Sequence, residues 1–149
     1  MTGLGFYGPP LRPLPEGMVR DWFAFTTNVT FTATNQRLTV TIQLDGSAPF
    51  ELCEVAAQQD QTTQPQIMAL LTIKDTTTGY SLLNDQAPVE SFATTNVRSN
   101  PLNATHVFRS NASIQLDVTN QGASTQRLFV TLKGFKWWNK ANTPAVNVG

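Results

Sequence analysis

The chain has 149 residues, of which 40% are hydrophobic and only 13% are charged, about half the charged share of an average globular protein. Ten basic side chains balance ten acidic ones, so no net charge attracts a nucleic-acid backbone or an anionic membrane over long range. A single cysteine, Cys53, excludes an internal disulfide and a site built from several cysteines, and we expect it to be a small core residue.

Residues 1–8 lack the basic stretch and the apolar block of a signal peptide. No apolar run approaches the roughly 20 residues that a membrane-spanning helix needs. We therefore expect a protein that is made in the cytoplasm, with no membrane partner and no direct nucleic-acid partner.

The N-terminal part is rich in proline, with four prolines within residues 9–15. Proline blocks helix and ladder pairing and favours an extended polyproline II conformation. We predict an extended arm over residues 1–18, a β-sandwich domain over residues 19–138 and a C-terminal tail over residues 139–149.

Alternating apolar and polar side chains predict about eight short strands. In the first, over residues 19–33, four apolar residues share one parity: Phe23, Phe25, Val29 and Phe31. The cleanest alternation runs from Leu38 to Leu44. Further strands are predicted over residues 49–57, 67–73, 80–83, 106–108, 113–119 and 128–138. In residues 49–57 neither face is purely polar, so both faces are expected to be covered.

The turns complete the fold prediction. Gly79 can supply the positive φ of a hairpin over residues 74–80, residues 120–123 are predicted to close a second hairpin, and Gly134 permits a bulge. Residues 84–91 are predicted to be a loop, and residues 93–104 are predicted to be a long surface connection. Short strands between frequent turns indicate an all-β fold, an antiparallel β-sandwich or jelly roll with extended N- and C-terminal arms.

Catalytic chemistry needs a positioned base, nucleophile or metal. His106 is the only imidazole, and the carboxylates are spread over separate turns and strands without a calcium-loop signature. Two carboxylates could still meet in the folded chain, as a glycosidase requires. We expect no enzymatic activity, no metal and no cofactor.

The candidate functional residues are six apolar side chains at an interface with a partner: Leu11, Pro13, Leu14, Pro15, Trp137 and Trp138. Prolines reduce the entropy lost when an arm docks on a neighbouring subunit; alternatively, the arm covers an edge strand of its own sandwich. Adjacent residues on a strand face opposite sides, so one tryptophan is expected to be exposed unless a partner or the tail covers it. The tryptophans are then interface anchors, sugar-stacking rings or core residues under a terminal arm.

Three stretches are together similar to small virion proteins of tailed bacteriophages: residues 9–15, the strand and turn over residues 113–120, and the closing strand over residues 128–135. The chain most resembles the jelly-roll decoration, or cement, proteins that sit on the capsid shell. The resemblance implies a virion protein, a homo-oligomeric dimer or trimer, that binds the phage major capsid protein on the outside of the shell and bridges neighbouring capsomers. A phage neck, connector or tail component is the alternative, and a carbohydrate-binding β-sandwich module is a second.

Overall fold

A computed structural model describes residues 9–59, 67–95, 99–122 and 125–139. These ranges contain nine strands and one short helix: β1 (Met18–Phe31), β2 (Arg37–Gln43), β3 (Phe50–Gln59), β4 (Ala69–Asp75), β5 (Tyr80–Ser81), β6 (Ala87–Pro88), α1 (Val89–Phe92), β7 (His106–Phe108), β8 (Ser113–Asn120) and β9 (Gln126–Asn139). The prediction of an all-β fold is confirmed. Residues 1–8 of the predicted arm and residues 140–149 of the predicted tail lie outside the described residues.

The strands form two antiparallel sheets. The first sheet has the order β1-β9-β3-β7, and the second sheet has the order β2-β8-β4-β5, with β6 also paired to β4. Apolar side chains from both sheets, among them Phe31, Leu52, Leu71 and Leu116, are fully buried in a single core cluster. The molecule is therefore an antiparallel β-sandwich, as the alternating pattern predicts.

One of the two predicted hairpins is correct. β4 pairs with β5, and Gly79 has a φ of 74° in the turn between them. The hairpin predicted for residues 120–123 is wrong, because β8 and β9 lie in different sheets. The buried side-chain amide of Asn120 accepts a hydrogen bond from the N–H of Gly122 and donates one to the carbonyl of Ala33. This turn therefore carries the chain from one sheet to the other, beside the connection between β1 and β2.

The predicted loop over residues 84–91 and the predicted surface connection over residues 93–104 are both partly buried. Residues 84–91 contain β6 and the start of α1, where Val89 is fully buried. In the second segment, the N–H of Thr94 donates to Val55 at 2.7 Å and its carbonyl accepts from Ala57 at 2.8 Å. Thr94 thus continues the edge of the first sheet along β3. Each of these contacts involves only one or two residues, so no periodic sequence pattern predicts them.

β3 is buried on both faces over most of its length, as its mixed pattern predicts. Cys53 is an extra residue between Leu52, which lies opposite Gly134, and Glu54, so the bulge that Gly134 permits is in β3 and not in β9. A methyl group on Gly134 would overlap the backbone carbonyl oxygen of Glu51. Glycine is required here because the two backbones approach too closely for any side chain.

We predict that Gly134→Ala lowers the free energy of unfolding by about 3 kcal/mol, because the two strands must separate to admit the methyl group. Gly17→Ala is the matched control, since Gly17 has a φ of 80° with open space around it and the methyl group adds only about 1 kcal/mol of left-handed strain. Urea unfolding followed by tryptophan fluorescence measures both losses. Equal losses would contradict the close approach of β3 and β9.

Candidate functional site

One of the predicted contact residues, Trp137, lies on the face of the first sheet that points away from the core (the outer face). β1 and β9 supply its large side chains: Arg20, Trp22, Lys133, Phe135 and Trp137. Residues 9–17 (the N-terminal segment) form neither strand nor helix, and Pro9 is buried. Pro9 lines a hollow beside Trp22 and Phe135, so the segment packs against this face.

The carboxylate of Glu51, on β3, joins the N-terminal segment to the outer face. It is fully buried and accepts hydrogen bonds from the backbone N–H of Arg12 at 2.8 Å, from Arg20 Nε at 2.9 Å and from Trp137 Nε1 at 3.1 Å. Burial alone would raise the pKa of this carboxyl, but these hydrogen bonds outweigh burial and hold the pKa below its ordinary value of 4.5. Arg20 also donates to the carbonyl of Arg12. Both backbone groups of Arg12 are therefore bonded to side chains of the sheet.

The apolar residues of the N-terminal segment divide into two pairs. Leu11 and Leu14 are half-buried, whereas Pro13 and Pro15 are exposed. The segment thus packs against the outer face of its own sheet, and the covering of an edge strand stays a prediction. Contact of Leu11, Pro13, Leu14 and Pro15 with a partner stays a prediction.

Trp137 and Trp138 face opposite sides of β9, and both are half-buried by their own chain. The indole N–H of Trp137 is committed to Glu51, and the guanidinium carbon of Arg20 lies 5.9 Å from the centroid of the Trp137 ring, within cation–π range. Trp137 therefore stabilises the outer face through contacts with Glu51 and Arg20 of its own chain. Contact of either tryptophan with a partner stays a prediction.

Trp138 borders a cluster around the buried ammonium group of Lys136. Lys136 Nζ lies 3.9 Å from the ring centroid of Phe23, 5.7 Å from that of Phe25 and 5.6 Å from that of Trp138. It also donates to Asp45 Oδ2 at 2.7 Å. This hydrogen bond is the main cause that lowers the pKa of the Asp45 carboxyl to about 2. The cluster ties the end of β9 to the loop between β2 and β3.

Trp22 is the most exposed large apolar side chain in the described ranges, at 64%. The hollow beside it has a volume of 240 Å³, and a second hollow of 280 Å³ lies further along the outer face, with Lys133 bordering both. An exposed aromatic side chain next to concave surface is typical of a protein contact site. Trp22 is not among the predicted contact residues, although the parity that turns Phe25 and Phe31 towards the core also places Trp22 on the opposite face of β1.

The single imidazole, that of His106, links the two sheets at one edge of the sandwich. His106 Nε2, on β7, lies 3.1 Å from Asp75 Oδ2, on β4, and the Asp75 side chain is fully buried. The imidazole ring also stacks on Tyr80 of β5, with 5.0 Å between the ring centroids. These three side chains hold β7 of the first sheet beside β4 and β5 of the second.

Comparisons with protein-family models, with curated proteins and with solved structures each gave no match. Within the described ranges, no group of three or more His, Cys, Asp and Glu side chains is arranged to hold a metal ion. In the same part of the chain, no helix has the length and apolar character that a bilayer crossing needs. The strand order and the chemistry of the outer face are therefore the observations that bear on function.

We predict that Glu51→Gln lowers the free energy of unfolding at pH 7 by about 3 kcal/mol, because it removes the buried counter-charge of Arg20. Glu54→Gln is the matched control: the Glu54 carboxylate pairs with Lys133 at 3.4 Å on the more exposed part of the same face, and such a pair is worth less than about 1 kcal/mol.

The loss in Glu51→Gln also depends on pH. Because folding lowers the pKa of Glu51 from 4.5, its carboxylate stabilises the fold above pH 4.5 and ceases to do so as the pH falls through the lower folded value. Urea unfolding gives the difference in free energy of unfolding between wild type and Glu51→Gln, and this difference should be smaller at about pH 3 than at pH 7. A difference that stays constant would contradict the hydrogen bonding of an ionised Glu51.

The Lys136 cluster is testable through the titration of Asp45. Lys136→Met keeps an apolar side chain beside the aromatic rings but removes the ammonium group. We predict that the pKa of Asp45, followed by NMR, rises from about 2 towards its ordinary value of 3.8 in this variant. Ser47→Ala removes the next largest hydrogen bond to Asp45 and should raise the pKa by less. A pKa near 2 in Lys136→Met would show that the lysine is not the main cause.

Proposed function

We propose that the protein is a structural virion component that binds the outside of a phage capsid and stabilises the shell by bridging neighbouring capsomers. The observation that carries the proposal is the order of the strands. β5 and β6 both pair with β4, one beyond the other, as two pieces of one interrupted strand would. Eight strands then remain, and each sheet interleaves strands from the two halves of the chain. This arrangement supports a jelly roll, the double Greek key of many viral capsid domains.

Fold alone does not assign function, because lectins and cupins also use the jelly roll. The outer face adds support for a protein contact. It presents Trp22 beside two hollows, and the nearby charges are largely paired within the chain, as Arg20 is with Glu51 and Lys133 is with Glu54. Apolar burial persists when salt screens exposed ion pairs, so such a face suits attachment that must survive changes of salt.

The proposal extends to the assembly. A dimer or trimer that presents two or three copies of the outer face would bind a shell with higher avidity than a single copy, because the later contacts form at high effective concentration. Bridging of capsomers follows if the copies of one oligomer contact different capsomers.

Cosedimentation with capsids that lack the protein tests the proposal, with bound copies counted by gel densitometry. Saturation at roughly hundreds of copies per particle supports a shell role, because a closed lattice repeats its surface many times. Saturation at about a dozen copies or fewer would replace that role with one in the neck or tail, where rings of low symmetry occur. Absence of binding, together with binding to immobilised glycans, would favour a sugar-binding module.

We predict that Trp22→Ser weakens capsid binding at least about tenfold, because a large aromatic side chain at the centre of a contact carries much of its binding energy. Tyr80→Ser is the matched control, since the Tyr80 ring is 55% exposed but lies at the edge near β7 and not on the outer face. The measurement is the binding constant of each variant for the same capsids. Equal weakening, or weakening by Tyr80→Ser alone, would contradict the assignment of the outer face as the contact surface.

A further inference from the structure

A cavity of 550 Å³, about twice the volume of either hollow on the outer face, lies at the edge of the sandwich where β7 and β5 come together (the edge cavity). Five large apolar side chains from β4, α1 and the adjoining loops line it: Ile73, Leu82, Leu83, Phe92 and Leu102. Four of these five are only half-buried, so a ligand in the cavity would remove further apolar surface from water. The volume lies within the range of about 300–1,000 Å³ that is usual for small-molecule sites.

The lining of the edge cavity also includes polar groups, which come from Arg12, Tyr80, Asn103, Thr105 and His106. His106 is already paired with a carboxylate, that of Asp75. In the part of the chain that the structure describes, the Arg12 guanidinium makes one long hydrogen bond, of 3.4 Å, to the carbonyl of Thr105. Among the described residues, no carboxylate forms an ion pair with it. Arg12 therefore offers a positive charge and unused N–H donors at the rim of an apolar cavity.

We propose that the edge cavity binds a small amphiphile that has an apolar body and a single anionic group. The body fills the space between the leucines and Phe92, where burial of apolar surface stabilises the complex. The anionic group accepts hydrogen bonds from the Arg12 guanidinium, whose planar geometry matches a carboxylate. Tyr80, stacked on His106 at 5.0 Å, forms the adjoining wall. This site does not depend on the capsid role, because Trp22 and both hollows lie on the outer face.

Fluorescence of 1-anilinonaphthalene-8-sulfonate, an aromatic probe with one sulfonate, tests the site on the full chain. We expect a saturable increase in emission with one probe bound per chain. Decanoate should displace the probe at least about tenfold more effectively than decyltrimethylammonium, because only the first carries the charge that Arg12 attracts; decanol should lie between them. No saturable binding, or equal displacement by the two ions, would overturn the proposal.

Variants locate the bound probe. Arg12→Gln removes the charge but keeps the backbone N–H that bonds to Glu51. It should weaken the binding of decanoate about tenfold and leave the binding of decanol unchanged. Leu83→Trp should prevent the binding of all ligands by filling the edge cavity. If Leu83→Trp fails to fold, Leu102→Trp is the second variant that fills the same cavity. Trp22→Ser is the control, because Trp22 is outside the cavity and probe binding should be unchanged. If Trp22→Ser abolishes binding while either cavity variant retains it, the probe binds the outer face and the proposal is wrong.

Discussion

The buried carboxylate of Glu51 holds three separate parts of the chain at one point on the first sheet. A charged group that is removed from water without partners costs several kcal/mol, so the folded chain must supply donors wherever Glu51 is buried. It supplies them from the N-terminal segment, from β1 and from β9. The requirement to satisfy Glu51 therefore positions Arg12, orients Arg20 and fixes the ring of Trp137, and these side chains shape the covered part of the outer face.

Local pattern predicted the strands that bury one face cleanly. β2 and β8 keep strict alternation, so their existence and their buried sides follow from the order of apolar and polar residues alone. The sheet to which a strand belongs does not follow. The turn after β8 has hairpin chemistry, yet β9 joins the other sheet, because turn residues specify a reversal of direction and not the strand that will pair. The short helix α1 and the contacts of Thr94 also have no periodic pattern in the sequence, because each depends on residues that are distant along the chain.

The candidate site shows the same division. The exposure of Trp22 follows from parity within β1 and was available from the sequence. The hydrogen bonds to Glu51 join residues that are 31 to 86 positions apart, and no local pattern reveals such pairs. The two adjacent tryptophans illustrate the difference. Their order in the sequence places them on opposite faces of β9. Only the folded chain shows that the indole N–H of Trp137 donates to Glu51 and that Trp138 packs beside Lys136.

The N-terminal segment connects the two surfaces to which we assign binding. Pro9 lines the hollow beside Trp22, whereas Arg12, three residues later, lines the edge cavity. The hydrogen bonds to Glu51 hold the stretch between these ends on the sheet. A rigid link of this kind means that the position of Arg12 at the cavity rim depends on the same contacts that place Pro9 against the outer face. Any partner that lifted the segment from the sheet would therefore break the hydrogen bonds of the Arg12 backbone to Glu51 and Arg20 and remove the positive charge of Arg12 from the edge cavity. The loss of these contacts opposes such displacement.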